Sequence, residues 1–196
     1  IGAGLGAADD GWIVVVADTT YNETDLYFKG KKIYLEGVDY HSAGAQPVID
    51  CQSSGRAFYF GSGETEDCVV DNFTIQNGRV EEAGGGAILC ENISSPTITN
   101  CSFENNESVD TNGSYDVEKG GAIFCRGGSN PTITNCTFSN NSADYYGGTI
   151  CCHSSSPSIT NCTFSGNSAD GGNGGAVSCH ASSSPTLSNC TFNNNS

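Results

Sequence analysis

The run from Gly84 to Ser196 repeats one message four times. Aligned on their paired glycines, the segments from Gly85, Gly120, Gly147 and Gly174 read GGAILCENISSPTITNCSFENNES, GGAIFCRGGSNPTITNCTFSNNSA, GGTICCHSSSPSITNCTFSGNSA and GGAVSCHASSSPTLSNCTFNNNS. Pro96, Pro131, Pro157 and Pro185 share one slot in that alignment. Self-similarity at a period of roughly 20 to 50 residues marks a repeat architecture, whose units cannot bury an apolar face alone and must stack on their neighbours.

Within each unit the apolar residues alternate. After the glycines come Ile88, Ile123, Ile150 or Val177, and two residues later Cys90, Cys125, Cys152 or Cys179. Between them stand Leu89, Phe124, Cys151 and Ser178, which share no property. One strict face and one free face at period two is a half-buried strand. A second cluster keeps Ile98, Ile133, Ile159 or Leu187, then Cys101, Cys136, Cys162 or Cys190 three residues on, then Phe103, Phe138, Phe164 or Phe192 two further. The spacing of three breaks the alternation, so the chain turns a corner at the intervening asparagine, a residue that tolerates left-handed backbone. Three strands then close one loop per repeat, and equivalent strands of successive loops pair in parallel at about 4.8 Å. The expected fold is all-β: a single-stranded parallel β-helix of about six or seven coils, its interior holding columns of Ile, Cys and Phe, with an asparagine column at a corner. Thr149 departs from the GGA pattern at a position expected to face outward.

The GGA[ILV] motif, together with FxxN at Phe103 to Asn106, Phe138 to Asn141, Phe164 to Asn167 and Phe192 to Asn195, resembles the repeat of the chlamydial polymorphic outer membrane proteins. It is also similar to related cysteine-rich, right-handed β-helix repeats on bacterial surfaces. The resemblance is strong over residues 84–196 and looser before. It implies a right-handed, elongated, extracellular β-helix used for display or adhesion; the chain has no room for the membrane barrel that such autotransporters carry.

The earlier chain fits the same plan. Ile1, Leu5 and Ala8 form a helical stripe ahead of the turn at Asp9, Asp10 and Gly11, and the resemblance to right-handed β-helix proteins implies that residues 1–11 are the cap over the first coil. A cap shields an edge that would otherwise template aggregation. Residues 12–83 read as irregular coils: Leu26 with Phe28, Ile33 with Leu35, Val48 with Ile49, and Phe58 with Phe60 are short strands between turns. VDNFTIQNG aligns with the later corners, putting Asn72 in the asparagine column, Phe73 in the cysteine place and Ile75 in the phenylalanine place. Residues 84–196 are the regular repeats, with no cap at the far end. An uncapped coil calls for further repeats or for head-to-tail assembly with neighbouring subunits. The polar insertion Ser108 to Lys119 should bulge from the stack as a partner-contact loop.

Composition limits the chemistry. A net charge of -15 with only seven Lys and Arg excludes nucleic acid as a partner. The apolar run Trp12 to Ala17 is far shorter than the roughly 18 residues of a membrane span, so a soluble segment without a leader is expected. Eleven cysteines fill two columns with Cys51, Cys68 and Cys151 left over; column neighbours are close enough for rung-to-rung disulfides, yet cysteine also stacks as a small hydrophobe, so both readings stand. Cys151 and His153 on one outward face, with His180 beside His153 on the next rung, form a weak zinc or copper candidate lacking a fourth ligand, since Ser178 stands there. Asp144 and Asp170 are equivalent and adjacent, but no further acid or base completes a catalytic pair. Tyr145, Tyr146 and Phe124 are the one aromatic cluster expected outside.

The densest chemical signal is N-x-[ST]. Sequons in turns, at Asn22, Asn92, Asn106, Asn112, Asn140 and Asn194, are the glycan candidates; those of the corner column, at Asn72, Asn100, Asn135, Asn161 and Asn189, carry glycan or form a hydrogen-bonded ladder. The expectation is a non-enzymatic structural or adhesive protein at the cell surface, without a cofactor beyond covalent N-glycans, meeting a receptor, a glycan or neighbouring subunits. A polysaccharide lyase or hydrolase, or a carbohydrate-binding module, is the alternative on the same fold.

Overall fold

The computed structural model describes residues 1–113, 119–171 and 174–196. The described chain winds through seven coils as a right-handed parallel β-helix, with two sheets of seven strands, one of six and one of four. Sheet A stacks Ile13–Ala17, Tyr34–Val38, Val69–Asp71, Thr97–Thr99, Thr132–Thr134, Ser158–Thr160 and Thr186–Ser188. Sheet B runs from Thr20–Tyr21 to Thr191–Asn193, and sheet C from Leu26–Tyr27 to Val177–His180. The register places like on like: Ile98 beside Ile133 and Ile159, Phe103 beside Phe138 and Phe164, Cys90 beside Cys125 and Cys152. The earlier corner aligns as expected, with Ile75 beside Phe103 and Phe73 fully buried.

The middle residue of each A or B triplet points inward. Val70, Ile98, Ile133, Ile159, Phe103, Phe138 and Phe164 have no exposed surface, and burying each such side chain stabilises the fold by roughly 1.5–3 kcal/mol. Phe103, Phe138, Phe164 and Phe192 form a continuous pile, with ring centroids 4.8, 4.8 and 4.9 Å apart and planes within 9°. The parallel-strand repeat imposes that spacing.

A tight corner separates sheets A and B. Asn72, Asn100, Asn135, Asn161 and Asn189 sit there at φ of 65, 53, 56, 55 and 53°, in the left-handed region that asparagine tolerates best after glycine. The helix Gly2–Ala7 closes the first coil as the cap was expected to, with Leu5 and Ala8 buried.

Three expectations need correction. Each coil from the third to the sixth carries a fourth strand, not three: Arg79–Glu81, Glu107–Val109, Ser142–Ala143 and Ser168–Ala169 stack as sheet D just after FxxN. Ser108 and Val109 therefore belong to a strand, and Lys119 is buried, so neither end of the insertion bulges outward; Ser114 to Glu118 lie outside the described residues. Thr149 faces inward in the column of Ala87, Ala122 and Ala176, fully buried, and its Oγ1 lacks a hydrogen-bond partner. The glycine pair ahead of that column is steric in origin: a Cβ at Gly121 would lie 2.2 Å from the Gly148 carbonyl oxygen.

Candidate functional site

Two kinds of feature compete for function: polar ladders that run the length of the rod, and a row of reactive side chains on the outside of sheet C. The main ladder is not where the sequence suggested. Asn106, Asn141 and Asn167 of FxxN have no exposed surface, and Asn195 continues their file. The Asn106 side-chain amide donates to Asn141 Oδ1 at 3.0 Å and to the Ile75 carbonyl at 3.1 Å, while the Asn106 backbone N–H donates to the same Oδ1 at 3.0 Å. Asn141 repeats this pattern toward Asn167, and Asn167 toward Asn195. Asn106 thus cannot accept a glycan, because its amide nitrogen is buried and donating twice. The four-fold recurrence of that asparagine was the available signal, outweighed by the sequon reading.

A parallel serine ladder went unnoticed in the sequence, although Ser-x-Pro recurs in every repeat. The backbone N–H groups of Ser94, Ser129 and Ser155 donate to the hydroxyls of Ser129, Ser155 and Ser183, each at 3.1 Å. At the Asn-Cys corner the asparagines turn outward and still bond along the file. Asn161 donates to Asn135 Oδ1 at 3.1 Å, Asn135 to Asn100 Oδ1 at 3.2 Å, and Asn100 to Asp71 at 2.7 Å. The remaining turn sequons, Asn22, Asn92, Asn112, Asn140 and Asn194, are exposed.

No disulfide joins any of the eleven cysteines, all of which lie among the described residues. Those of the Cys101 file donate to backbone carbonyls, as Cys136 does to the Thr134 oxygen at 3.3 Å. The neighbouring Cys90 thiol and complete burial push Cys125 well above the ordinary thiol range, and burial does the same to Cys152. Thiols held protonated in this way are packing groups, not nucleophiles.

Sheet C is buried on both faces over Ile88–Cys90, Ile123–Cys125 and Ile150–Cys152, because the chain at Gly84 and Tyr146 folds across its outside. Phe124, Leu89 and Cys151 form a second apolar cluster there with Tyr59 and Tyr146 against it. Cys151 is therefore covered, not displayed. His153 and His180 are register neighbours as expected, with Tyr146 edge-on to His180 at 4.6 Å. Among the described residues no three potential ligands converge on a metal position, so Cys151, His153 and His180 do not assemble into one.

Beyond that cluster lies the row's charged end. The Tyr59 hydroxyl donates to Glu91 Oε1, and Arg126 Nε donates to Glu91 Oε2 at 2.7 Å. The guanidinium lies over the Phe124 ring, 5.8 Å from its centroid. Burial raises the Glu91 pKa, but the Tyr59 and Arg126 hydrogen bonds outweigh it and hold the carboxyl below its usual range. The same bond pushes the Tyr59 phenol up. Glu91 thus anchors both Tyr59 and Arg126 by hydrogen bonds. Asp144 and Asp170 follow the paired Ala143 and Ala169 on adjacent rungs, and Asp144 Oδ2 accepts the Asp110 N–H at 2.6 Å.

No helix of the described residues is long and apolar enough to cross a membrane. No curated protein and no solved structure matches the chain. The model of the right-handed β-helix region matches residues 33–196, most of the sequence, and the chain belongs to that family.

Proposed function

We propose that this chain is a rigid extracellular scaffold, a surface stalk or fibre segment with a structural or adhesive role, of the kind the chlamydial repeats resemble. The observation that carries the reading is the outer face of sheet A across the repeats. Thr97, Thr99, Thr132, Thr134, Ser158, Thr160, Thr186 and Ser188 are all hydroxyl residues, in register and uncharged. An ordered neutral face over a ladder-stiffened core suits presentation of a constant surface. Exposed sequons at Asn22, Asn92, Asn112, Asn140 and Asn194 add a place for N-glycans in a host that makes them. End-to-end association with neighbouring subunits belongs to the same reading.

Polysaccharide cleavage is the less favoured reading. Glycoside hydrolysis uses two carboxylates at one site, whereas the sheet C row offers Glu91, already engaged by Tyr59 and Arg126. The test is adhesion of beads coated with the purified chain to cells and to immobilised glycans, alongside incubation with polygalacturonate. Adhesion without depolymerisation is expected. Release of reducing ends by the native chain, abolished in Glu91→Gln, would replace the scaffold reading with an enzymatic one.

A further inference from the structure

The first three coils carry a groove that the scaffold role does not use. It has a volume of about 360 Å³ and is lined by Trp12, Tyr34 and Val69 together with Lys32, Glu66 and Asp67. The turn at Asp9 to Gly11 adjoins it: the Trp12 N–H donates to the Asp9 carbonyl at 3.2 Å, and the Lys32 N–H to Asp10 Oδ1 at 3.0 Å. Trp12 remains 54% exposed. A tryptophan left this open on a rigid sheet costs apolar hydration that a ligand would relieve.

The polar groups have partners. Lys32 Nζ and Asp67 Oδ2 pair across coils at 2.9 Å. The Tyr34 hydroxyl donates to Asp71 Oδ2 at 2.6 Å, and Asp71 Oδ1 in turn accepts from Asn100. An exposed indole beside hydrogen-bonding groups makes this an open amphipathic groove. The Lys32–Asp67 pair already balances its charge, and Glu66 with the surrounding acidity of the chain, -15 overall, repels an anionic partner.

We infer that this groove binds a neutral oligosaccharide, one pyranose face resting on the Trp12 indole and the ring hydroxyls meeting Asp67, Glu66 and Lys32. The inference deepens the adhesive reading by naming a ligand class and a place for it. It is tested in solution, so that failure of display or adhesion and failure of this groove are separate results.

Trp12 is the sole tryptophan, so its fluorescence reports the groove alone. Titration of the intact chain with cellohexaose, N-acetylchitohexaose and maltohexaose should shift or quench the emission saturably with at least one of them. Calorimetry with that sugar should show Trp12→Ala weakening binding roughly 30-fold, the loss expected of a truncated tryptophan anchor. Tyr40→Ala, a change on a distant exposed loop, should leave affinity unaltered, and circular dichroism checks that each variant folds. Three results would overturn the assignment: no response to any of the three sugars at millimolar concentration, sugar affinity unchanged in Trp12→Ala, or a salt-sensitive response to a lysine-rich peptide with none to sugar.

Discussion

Residues 1–119 and 120–196 share the same sheets, yet they satisfy their corners by different chemistry. The first stretch holds twenty acidic and six basic residues; the second holds Asp144, Asp170 and Arg126. In the repeats, neutral amides and hydroxyls pass hydrogen bonds from coil to coil. In the coils before Gly84 individual carboxylates do that task. Glu64, 2% exposed, accepts the N–H groups of Gly30 and Ser62 at 2.9 Å each, close to where the serine file begins. Asp50 accepts from Gln76, Asn77 and Gln52 where two corners meet. Asp71 ends the outward asparagine file. A solenoid can thus be closed either by one reused solution or by several local ones, and only the local ones bring charge.

That contrast can be broken at several points. The largest effect is expected from Phe138→Ala, which opens the ring pile between two neighbours at 4.8 Å and should cost about 4 kcal/mol. Because coils couple chiefly to their neighbours, hydrogen exchange should rise first around residues 98–170. Next, Asn141→Ala removes a buried group whose amide and carbonyl serve four hydrogen bonds, and urea unfolding should show a loss of about 3 kcal/mol. Asn135→Ala, at an exposed left-handed corner, should lose about 1 kcal/mol from backbone strain and two solvent-exposed bonds. Equal losses in the two variants would erase the distinction between inner and outer files.

The charged stretch should respond to acid. Glu91 and Asp50 have depressed pKa values in the fold: burial alone would raise both, but hydrogen bonds from Tyr59 and Arg126, or from Gln76 and Asn77, prevail. A carboxyl depressed on folding contributes stability that is complete above its free value, 4.5 for glutamate, and is lost as pH falls through the folded value. Stability measured from neutral pH downward should therefore decline less steeply in Glu91→Gln than in the native chain, with amides near residues 59–91 losing protection before those of residues 150–180. The smallest effect has the opposite sign. Thr149→Ala restores the alanine of its column and removes a buried hydroxyl without a partner, and should raise stability by about 1 kcal/mol.

Much of this architecture is legible in the letters. The period-two pairs Ile88 with Cys90 and Ile123 with Cys125 specify strands, and the three-residue step from Ile98 to Cys101 specifies a corner that the left-handed asparagines occupy. What stayed hidden depends on how far a corner turns. The step from Phe103 to Asn106 also breaks alternation, but a sequence does not tell whether the second asparagine points out, as a sequon, or in, as a rung. The same ambiguity misplaced Thr149 and Cys151, since nothing local announces that the chain near Gly84 and Tyr146 lies across the outside of sheet C. The groove at Trp12 was missed for a related reason: its lining residues come from three coils, with Trp12, Lys32 and Glu66 at least twenty residues apart in the chain.

The inner asparagine file has a direction. Every rung hands its backbone N–H and one side-chain amide hydrogen to the side-chain oxygen on the following coil, so each unit presents to its successor the same donors that its predecessor presented to it. Units built to that standard are interchangeable parts. Copying one of them within the gene would lengthen the rod by a coil without introducing any contact the protein has not already solved.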